Sequence, residues 1–222
     1  VKRATGFITG GFRPTNSNTE SWIGQVYLYR ENEDIPIDDN GKAMLPLLQI
    51  CLEGLPYIPD ALKGSKVLTV FVSENMPGRL AYNGDDWVIR EYKEEDVLVV
   101  KDIYMQSSSR IKPYPLKSQL ITEDYPVWDS GDIPMDIEDE LVEMEDSGEI
   151  TDYYDYTDCF AGHKIGGYPC YIQSGINFGD GYEFMIQIAS DEKANLNIID
   201  NGNLYLAKNS QTGDWRLYCD FY

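Results

Sequence analysis

The segment His163-Lys-Ile-Gly-Gly-Tyr-Pro-Cys-Tyr-Ile-Gln173 restricts the fold of this chain more than any other stretch of its sequence. Its adjacent glycines, Gly166 and Gly167, are costly inside a helix, and Pro169 lacks the N–H that a helix interior requires. The flanking residues are nevertheless apolar or aromatic. The pattern therefore predicts a buried strand that the chain enters through a tight glycine turn.

A related segment lies near the N-terminus. Phe7-Ile-Thr-Gly-Gly-Phe-Arg-Pro14 repeats the order of apolar residue, Gly-Gly pair, aromatic residue and proline. Each copy is followed by an apolar run that contains a glutamine, Gln49 or Gln187, and then by a second strand-like run. Because three features recur in the same order, the sequence predicts a diverged duplication of one β-rich unit.

This recurrence predicts both the fold class and the domain organisation. We expect an α+β fold, as a β-rich single domain of residues 1–222 that is built from two related halves with few short helices. Half one would span residues 5–117, an acidic helical connector residues 118–162, and half two residues 163–222. The residues predicted to be structural are Gly10, Gly11, Gln49, Gly166, Gly167, Pro169 and Gln187.

The two glutamines within apolar runs need hydrogen-bond partners if they are buried. Gln49 and Gln187 either bond to backbone groups and thereby hold the two halves together, or they contact a ligand. The second interpretation belongs to an alternative function, in which a pocket between the halves, lined by both glutamines and by aromatic residues, serves a small-ligand-binding protein or an enzyme.

Local patterns predict the individual elements. Pro134 at its start, apolar residues at helical spacing and Gly148 at its end predict a helix over residues 134–147. Residues 22–29 alternate in polarity and are predicted to form one strand, whereas residues 107–117 are polar and are predicted to be a loop or an edge. Further strands are predicted at residues 45–52, 67–73, 87–92, 97–104, 182–189, 204–207 and 215–221, and residues 196–199 are predicted to pair with residues 204–207 in a hairpin.

Charge excludes several classes of partner. The formal net charge is −20, and no Lys or Arg occurs between Ser118 and His163, a stretch that holds 15 of the 38 acidic residues. Such a chain repels nucleic-acid phosphates and anionic membrane surfaces. It attracts basic proteins over long range. Solubility alone is the other interpretation of the same charge.

The acidic stretch also contains tyrosines, which are frequent at binding hot spots. Together they predict a surface that binds a basic protein such as a toxin; an ordinary solvated helix face followed by a linker is the alternative. The residues predicted to contact the partner are Glu138, Asp139, Glu143, Tyr153, Tyr154, Asp155 and Tyr156.

No motif predicts a catalytic residue, a cofactor or a metal. His163 is the single histidine, so it is either one half of a Cys-His pair with Cys159 or Cys170, or a turn residue ahead of the glycines. The four cysteines form no Cys-x-x-Cys pair, which favours reduced thiols over a zinc site. The sequence opens without a signal peptide's apolar segment, and we expect a cytoplasmic protein.

Three motifs carry a resemblance to a known family. The Gly-Gly turns, the strands Leu45-Pro-Leu-Leu-Gln-Ile50 and Glu183-Phe-Met-Ile-Gln-Ile188, and the strand Leu68-Thr-Val-Phe-Val72 resemble the YwqG-like family, a bacterial domain family of unknown function. The resemblance runs from about Thr5 to the C-terminus. It implies a single α+β domain of two related halves without an established active site. Because members often lie near toxin genes, it also implies an immunity role.

Overall fold

The computed structural model describes residues 1–15, 17–75, 80–84, 86–155 and 157–222. Within these ranges the strands, numbered in chain order, are β1 Lys2–Thr9, β2 Ser21–Ile23, β3 Leu28–Tyr29, β4 Leu45–Cys51, β5 Ser65–Val72, β6 Ala81–Tyr82, β7 Trp87–Lys93, β8 Val99–Val100, β9 Tyr114–Asp124, β10 Lys164–Gly166, β11 Tyr182–Ala189, β12 Asn203–Asn209 and β13 Trp215–Asp220. The helices are α1 Met135–Ser147 and short 3-10 helices at Asp60–Leu62, Tyr104–Gln106, Trp128–Ser130 and Tyr153–Asp155.

Eleven of the strands form one antiparallel sheet, in the order β6-β13-β12-β11-β10-β1-β9-β2-β4-β5-β7. β3 and β8 form a separate two-stranded sheet. The central pair, β1 and β9, separates two runs of strands that each follow chain order, β10-β11-β12-β13 and β2-β4-β5-β7. β1, which precedes the N-terminal run in the chain, therefore lies beside the C-terminal run. β9, which precedes the C-terminal run, lies beside the N-terminal run, so the two central strands have exchanged sides.

The sheet curls until its ends meet at Glu91. This residue lies on β7, the last strand of one run, yet its carboxylate accepts hydrogen bonds from Lys208 of β12 at 2.8 Å and from the Trp215 indole N–H of β13 at 3.2 Å. Lys93 and Ser65 donate to the same carboxylate at 2.5 Å each. Glu91 thus joins strands that are far apart in the sheet order.

The largest hydrophobic cluster draws on both runs. Leu48 and Val70 of the N-terminal run lie in one buried cluster with Ile186 and Leu206 of the C-terminal run. Each of these side chains is at most 1% exposed. Burial of such a side chain contributes about 1.5–3 kcal/mol, so the strands of both runs depend on a shared core.

The helix lies outside this core. α1 begins after Pro134 and ends at Gly148, whose left-handed conformation lets its N–H bond to the Glu145 carbonyl, and the helix has no buried residue. Strands account for 36% of the structure and helices for 12%. The expected α+β class is therefore wrong, and the fold is all-β, because the predicted helix forms but packs no face into the core.

Six strands predicted from local patterns are confirmed to within two residues at each end, as β4, β5, β7, β11, β12 and β13. The strand predicted over residues 97–104 is reduced to β8, and the predicted hairpin is wrong, because residues 196–199 form no strand and β12 pairs with β11 and β13.

The prediction of one strand over residues 22–29 is wrong, because Gly24, with a φ of +73°, turns the chain between β2 and β3. The loop or edge predicted at residues 107–117 is also wrong from Tyr114 onward. There β9 begins, in the middle of the sheet, and it continues to Asp124, past the expected boundary at residue 118.

Replacing Glu91 by glutamine is expected to destabilise the protein at neutral pH by about 2 kcal/mol. Burial alone would raise the pKa of Glu91, but hydrogen bonds from Lys208, Lys93 and Ser65 outweigh it and lower this pKa to about 2. A carboxyl group with a lowered pKa stabilises the fold above its ordinary pKa of 4.5, and this contribution is lost as the pH falls from there through about 2.

The measurement is the free energy of unfolding of both proteins at pH 7 and at several values down to pH 3. The difference between wild type and variant should shrink as the pH falls. Glu95, an exposed residue in the turn after β7, provides the matched control through Glu95→Gln. A pH-independent difference for Glu91→Gln, or an equal effect of the control, would contradict this account of how the sheet ends are joined.

Within the described ranges, no helix is both long enough and apolar enough to cross a membrane.

Candidate functional site

The two predicted glutamines occupy matching positions in the two runs. Gln49 lies opposite Trp22 in the pairing of β4 with β2, and its side chain bonds only to backbone groups of that neighbourhood apart from one sulfur contact. Its Oε1 accepts from the N–H groups of Tyr27 at 2.8 Å and Leu28 at 3.0 Å, and its Nε2 donates to the Glu20 carbonyl at 2.9 Å. Gln49 thus holds the loop that follows β2.

Gln187 does the same in the C-terminal run. It lies opposite Lys164 in the pairing of β11 with β10. Its Oε1 accepts from the Cys170 N–H at 2.8 Å, and its Nε2 donates to the carbonyls of Ala161 at 2.9 Å and Gly162 at 3.0 Å. Each glutamine therefore fixes a loop within its own run. The expectation that the pair holds the two halves to each other is wrong, because neither amide reaches across the sheet.

The glycine pairs are both left-handed but lie in different surroundings. Gly10 and Gly11 have φ values of +56° and +81° after β1, and Gly166 and Gly167 have values of +75° and +73° at the end of β10. The prediction that the chain enters a buried strand through the second turn is wrong, because the strand ends at that turn and residues 168–173 form no strand. A Cβ atom on Gly167 would lie 2.1 Å from an Asp124 carboxylate oxygen, whereas one on Gly11 would meet nothing closer than 4.0 Å. The second turn is consequently built against a buried carboxylate.

In the first run, the residue that corresponds to Gly166 is Gly24. Gly24 follows Trp22 by two residues, as Gly166 follows Lys164, and Trp22 and Lys164 are the residues opposite the two glutamines. Gly24 also has a positive φ, +73°. The motifs in the sequence had paired Gly166 with Gly10 instead. The order of the motifs along the chain gives no sign that β1 and β9 exchange places in the sheet.

A buried ion pair lies under the second glycine turn. Lys164 donates from Nζ to Asp124 Oδ2 at 2.8 Å, and both side chains are 0% exposed. Asp124 also accepts from the backbone N–H groups of Phe160, at 2.8 Å through Oδ1, and Tyr168, at 2.7 Å through Oδ2. One carboxylate thereby holds the segments on both sides of β10. Sequence reasoning did not single out either residue, although a lysine beside Ile165 in an apolar segment is a signal of a buried charge.

His163 has a structural setting. Its Nδ1 accepts the Ala189 N–H at 3.1 Å, which places the ring proton on Nε2, and Nε2 lies 3.3 Å from Asp191 Oδ2. The hydrogen bond from His163 holds the pKa of Asp191 well below its usual range. With both ring nitrogens engaged, the geometry favours the turn-residue interpretation over a Cys-His pair.

The residues predicted to contact a partner are mostly on the surface. Asp139 and Glu143 of α1 are exposed and Glu138 is partly exposed. Beyond the helix, Tyr154 is 53% exposed, while Asp155 accepts hydrogen bonds from the N–H groups of Thr151 and Asp152 at 3.2 Å each.

Two of the predicted contact residues do not belong to this exposed set. Tyr153 is only 8% exposed, because its ring packs on Trp128 and its hydroxyl donates to the Pro126 carbonyl at 2.8 Å. Tyr153 therefore anchors the segment rather than presenting a ring to a partner. Tyr156 lies outside the described residues.

Apolar side chains accompany the acids on α1. Met135, Ile137 and Val142 are 77%, 42% and 44% exposed. α1 therefore exposes apolar side chains as well as carboxylates.

A cleft of about 670 Å³ lies beside the second glycine turn. Gly167 and Pro169 line it together with Lys2, Asp132 and Tyr171. Gln49 lines a smaller cavity of about 160 Å³ with Trp22 and Tyr27, and Gln187 lines none of the cavities described. The pocket that was expected between the halves, with both glutamines in its wall, is thus not among them.

The four cysteines are free thiols, and the described residues contain no cluster of three or more His, Cys, Asp or Glu side chains that could hold a metal ion. Cys51 and Cys219 are buried, and burial raises the pKa of each thiol to about 12. Cys159 and Cys170 are only partly buried.

Comparison with known proteins gives no match, either to a family model or to a curated protein.

Proposed function

We propose that this protein is a non-enzymatic binding module that covers the surface of a basic protein, such as a toxin, in the manner of an immunity protein. The surface that binds is the acidic segment, defined here as α1 and the exposed residues that follow it up to Asp155. The observation that carries the proposal is that α1 is a thirteen-residue helix without a buried residue.

The first support is the low stability that such a helix has without packing against the rest of the protein. A helix of this length is marginally stable by itself in water, and most helices in proteins are stabilised by packing an apolar face. α1 has local stabilisation from acidic residues in its first turn and from the Gly148 cap. Its exposed apolar groups Met135, Ile137 and Val142 are left for contact with another molecule.

The second support is the distribution of charge. The acidic segment belongs to a stretch of the sequence without Lys or Arg, so its field is uniformly negative over the length of α1. Such a field accelerates the encounter with a positively charged partner and rejects acidic ones. The same charge repels nucleic acids, which makes a basic protein the fitting class of partner.

The family resemblance described for the glycine and glutamine motifs is a further support. An immunity role suits a protein whose described residues show no metal cluster and whose single histidine has both ring nitrogens engaged. The cytoplasm, where such proteins meet their toxins, is the compartment we propose.

Neutralising three acids of α1 is expected to weaken binding of the basic partner by roughly tenfold, since exposed ion pairs contribute up to about 0.5 kcal/mol each. The variant is Glu138→Gln, Asp139→Asn, Glu143→Gln. The matched control removes the same charge elsewhere, through Glu31→Gln, Asp39→Asn, Glu53→Gln at exposed positions. Proteins captured from a lysate of the native host on the immobilised wild type, variant and control are quantified by mass spectrometry.

The expected result is a basic protein that the wild type and the control retain and the α1 variant loses. Capture is repeated at about 0.05 M and about 0.15 M salt, because screening weakens long-range attraction at the higher concentration. If no basic protein distinguishes the α1 variant from the control at either salt concentration, the proposed function is wrong.

A further inference from the structure

Two thiols meet beside the second glycine turn. Cys159 lies before β10, and Cys170 lies after Pro169, which places ten residues between them. The Cys170 thiol lies 3.7 Å from the Cys159 carbonyl oxygen, and the Cys159 thiol lies 3.9 Å from the Tyr168 carbonyl oxygen. Each thiol therefore lies against the backbone at, or within two residues of, the other cysteine, so the two side chains share one small region of the fold.

The backbone around both cysteines is held by shared partners. Asp124 accepts from the N–H of Phe160, next to Cys159, and from the N–H of Tyr168, two residues before Cys170. Gln187 bonds the Cys170 N–H through Oε1 and the Ala161 carbonyl through Nε2. Because one carboxylate and one amide each bridge the two segments, the cysteines are fixed in position before any bond joins them.

A buried cation lies against the pair. Lys164 Nζ is 3.6 Å from Cys159 Sγ and 2.8 Å from Asp124 Oδ2, with a side chain that is 0% exposed. A nearby ammonium group stabilises a thiolate, which is the reactive form of cysteine. Cys51 and Cys219 have no such neighbour among the described contacts, and both are buried.

The two thiols differ in protonation. The hydrogen bond from Cys159 lowers the pKa of Cys170, and the same hydrogen bond, together with burial, raises the pKa of Cys159. The lowered pKa gives Cys170 the larger thiolate fraction of the two, so Cys170 is the thiol expected to attack first. This asymmetry is what a stepwise exchange reaction needs.

We propose that Cys159 and Cys170 form a dithiol–disulfide site that exchanges with a low-molecular-weight disulfide of the glutathione type. The Cys170 thiolate attacks one sulfur of oxidised glutathione, which forms a mixed disulfide and releases one glutathione thiolate. Cys159 then loses its proton beside Lys164, attacks the Cys170 sulfur and expels the second glutathione thiolate. The two released thiolates take up the two protons that the protein thiols lost. Two protein thiols are oxidised, and one glutathione disulfide is reduced to two glutathione molecules.

The bond would close the loop that contains Gly166, Gly167 and Pro169. These residues line the cleft of about 670 Å³, and the acidic segment ends at Asp155, four positions before Cys159 in the sequence. Oxidation would therefore add a covalent constraint between the acidic segment and the cleft. The site does not depend on the proposed function, since the chemistry needs no protein partner.

The test exposes the reduced, folded protein to increasing ratios of oxidised to reduced glutathione. Free thiols are then alkylated and counted by mass spectrometry, and disulfide-linked peptides are mapped. We expect loss of two of the four thiols and a single linked peptide pair that contains Cys159 and Cys170. Three results would each overturn the proposal: retention of all four thiols at every ratio, a disulfide between other cysteines, or a stable glutathione adduct in the wild type without ring closure.

Two variants separate the steps. Cys159→Ser should accumulate glutathione on Cys170, because the second attack is removed, whereas Cys51→Ser should form the Cys159–Cys170 disulfide as the wild type does. Near-ultraviolet circular dichroism recorded before oxidation checks that each variant is folded. A Cys159→Ser protein that stays folded and takes up no glutathione would contradict the role of Cys170 as the first nucleophile.

Discussion

The variant Asp124→Ala is expected to lose about 3–5 kcal/mol of stability, the usual cost of leaving one member of a buried ion pair without its partner. Lys164 would be left without its carboxylate partner in a site with no exposed surface. The backbone N–H groups of Phe160 and Tyr168 would lose their acceptor at the same time. A loss of this size is a large part of the stability of an ordinary domain, so the variant should unfold at markedly lower denaturant concentration.

Chemical denaturation of two further variants identifies the cause. Asp124→Ala combined with Lys164→Met should recover part of the loss, because the unpaired charge is gone while the two N–H groups still lack an acceptor. Asp60 forms an ion pair with Lys63 at 2.6 Å in which both side chains are largely exposed, so Asp60→Ala should cost at most about 1 kcal/mol. Equal losses for Asp124→Ala and Asp60→Ala would show that burial of the first pair is energetically unimportant.

Replacing Gly167 by alanine is expected to cost about 3 kcal/mol, through two effects that add. The left-handed backbone, with φ at +73°, costs roughly 1–2 kcal/mol for a residue that has a Cβ atom. The new Cβ would also lie 2.1 Å from Asp124 Oδ2, an oxygen that is fixed by bonds to Lys164 and Tyr168 and has no free direction in which to move.

Gly213 separates the two effects in the same unfolding measurement. It has a φ of +79°, and a Cβ atom there would meet no atom within 4 Å. Gly213→Ala should therefore show the backbone cost alone, and the difference between the two variants measures the contact with Asp124. If both variants lose the same free energy, the turn does not need the close approach of Gly167 to the carboxylate.

The sequence predicts those helices and strands whose ends and faces depend on neighbouring residues in the chain. Pro134 and Gly148 bound α1 because caps act within a turn or two, and alternation or continuous apolarity located β4 and β11. Whether α1 would pack could not be predicted in this way. Packing depends on which surface lies opposite, and in the described structure nothing covers Met135 or Ile137.

β9 shows the reverse situation. Its burial pattern is mixed, with Gln119 half-buried and Lys117 exposed, so its sequence gives no clear strand period. Its place in the middle of the sheet comes from pairing with β1 and β2, which lie about a hundred residues away in the chain. Separation along the chain also prevents the candidate sites from being predicted from the sequence. Asp124 is 40 residues from Lys164, and Gln187 is 17 residues from Cys170.

The exchanged positions of β1 and β9 affect how the chain reaches its native state during synthesis. β1 leaves the ribosome long before its neighbours in the sheet, which start at Tyr114 and Lys164. At a translation rate of about 5–20 residues per second, it waits for roughly 5–20 s before the first of them emerges. Throughout that interval it presents unpaired backbone groups to other nascent chains, and the positive charges of Lys2 and Arg3 at its start are the kind of residue that discourages such pairing.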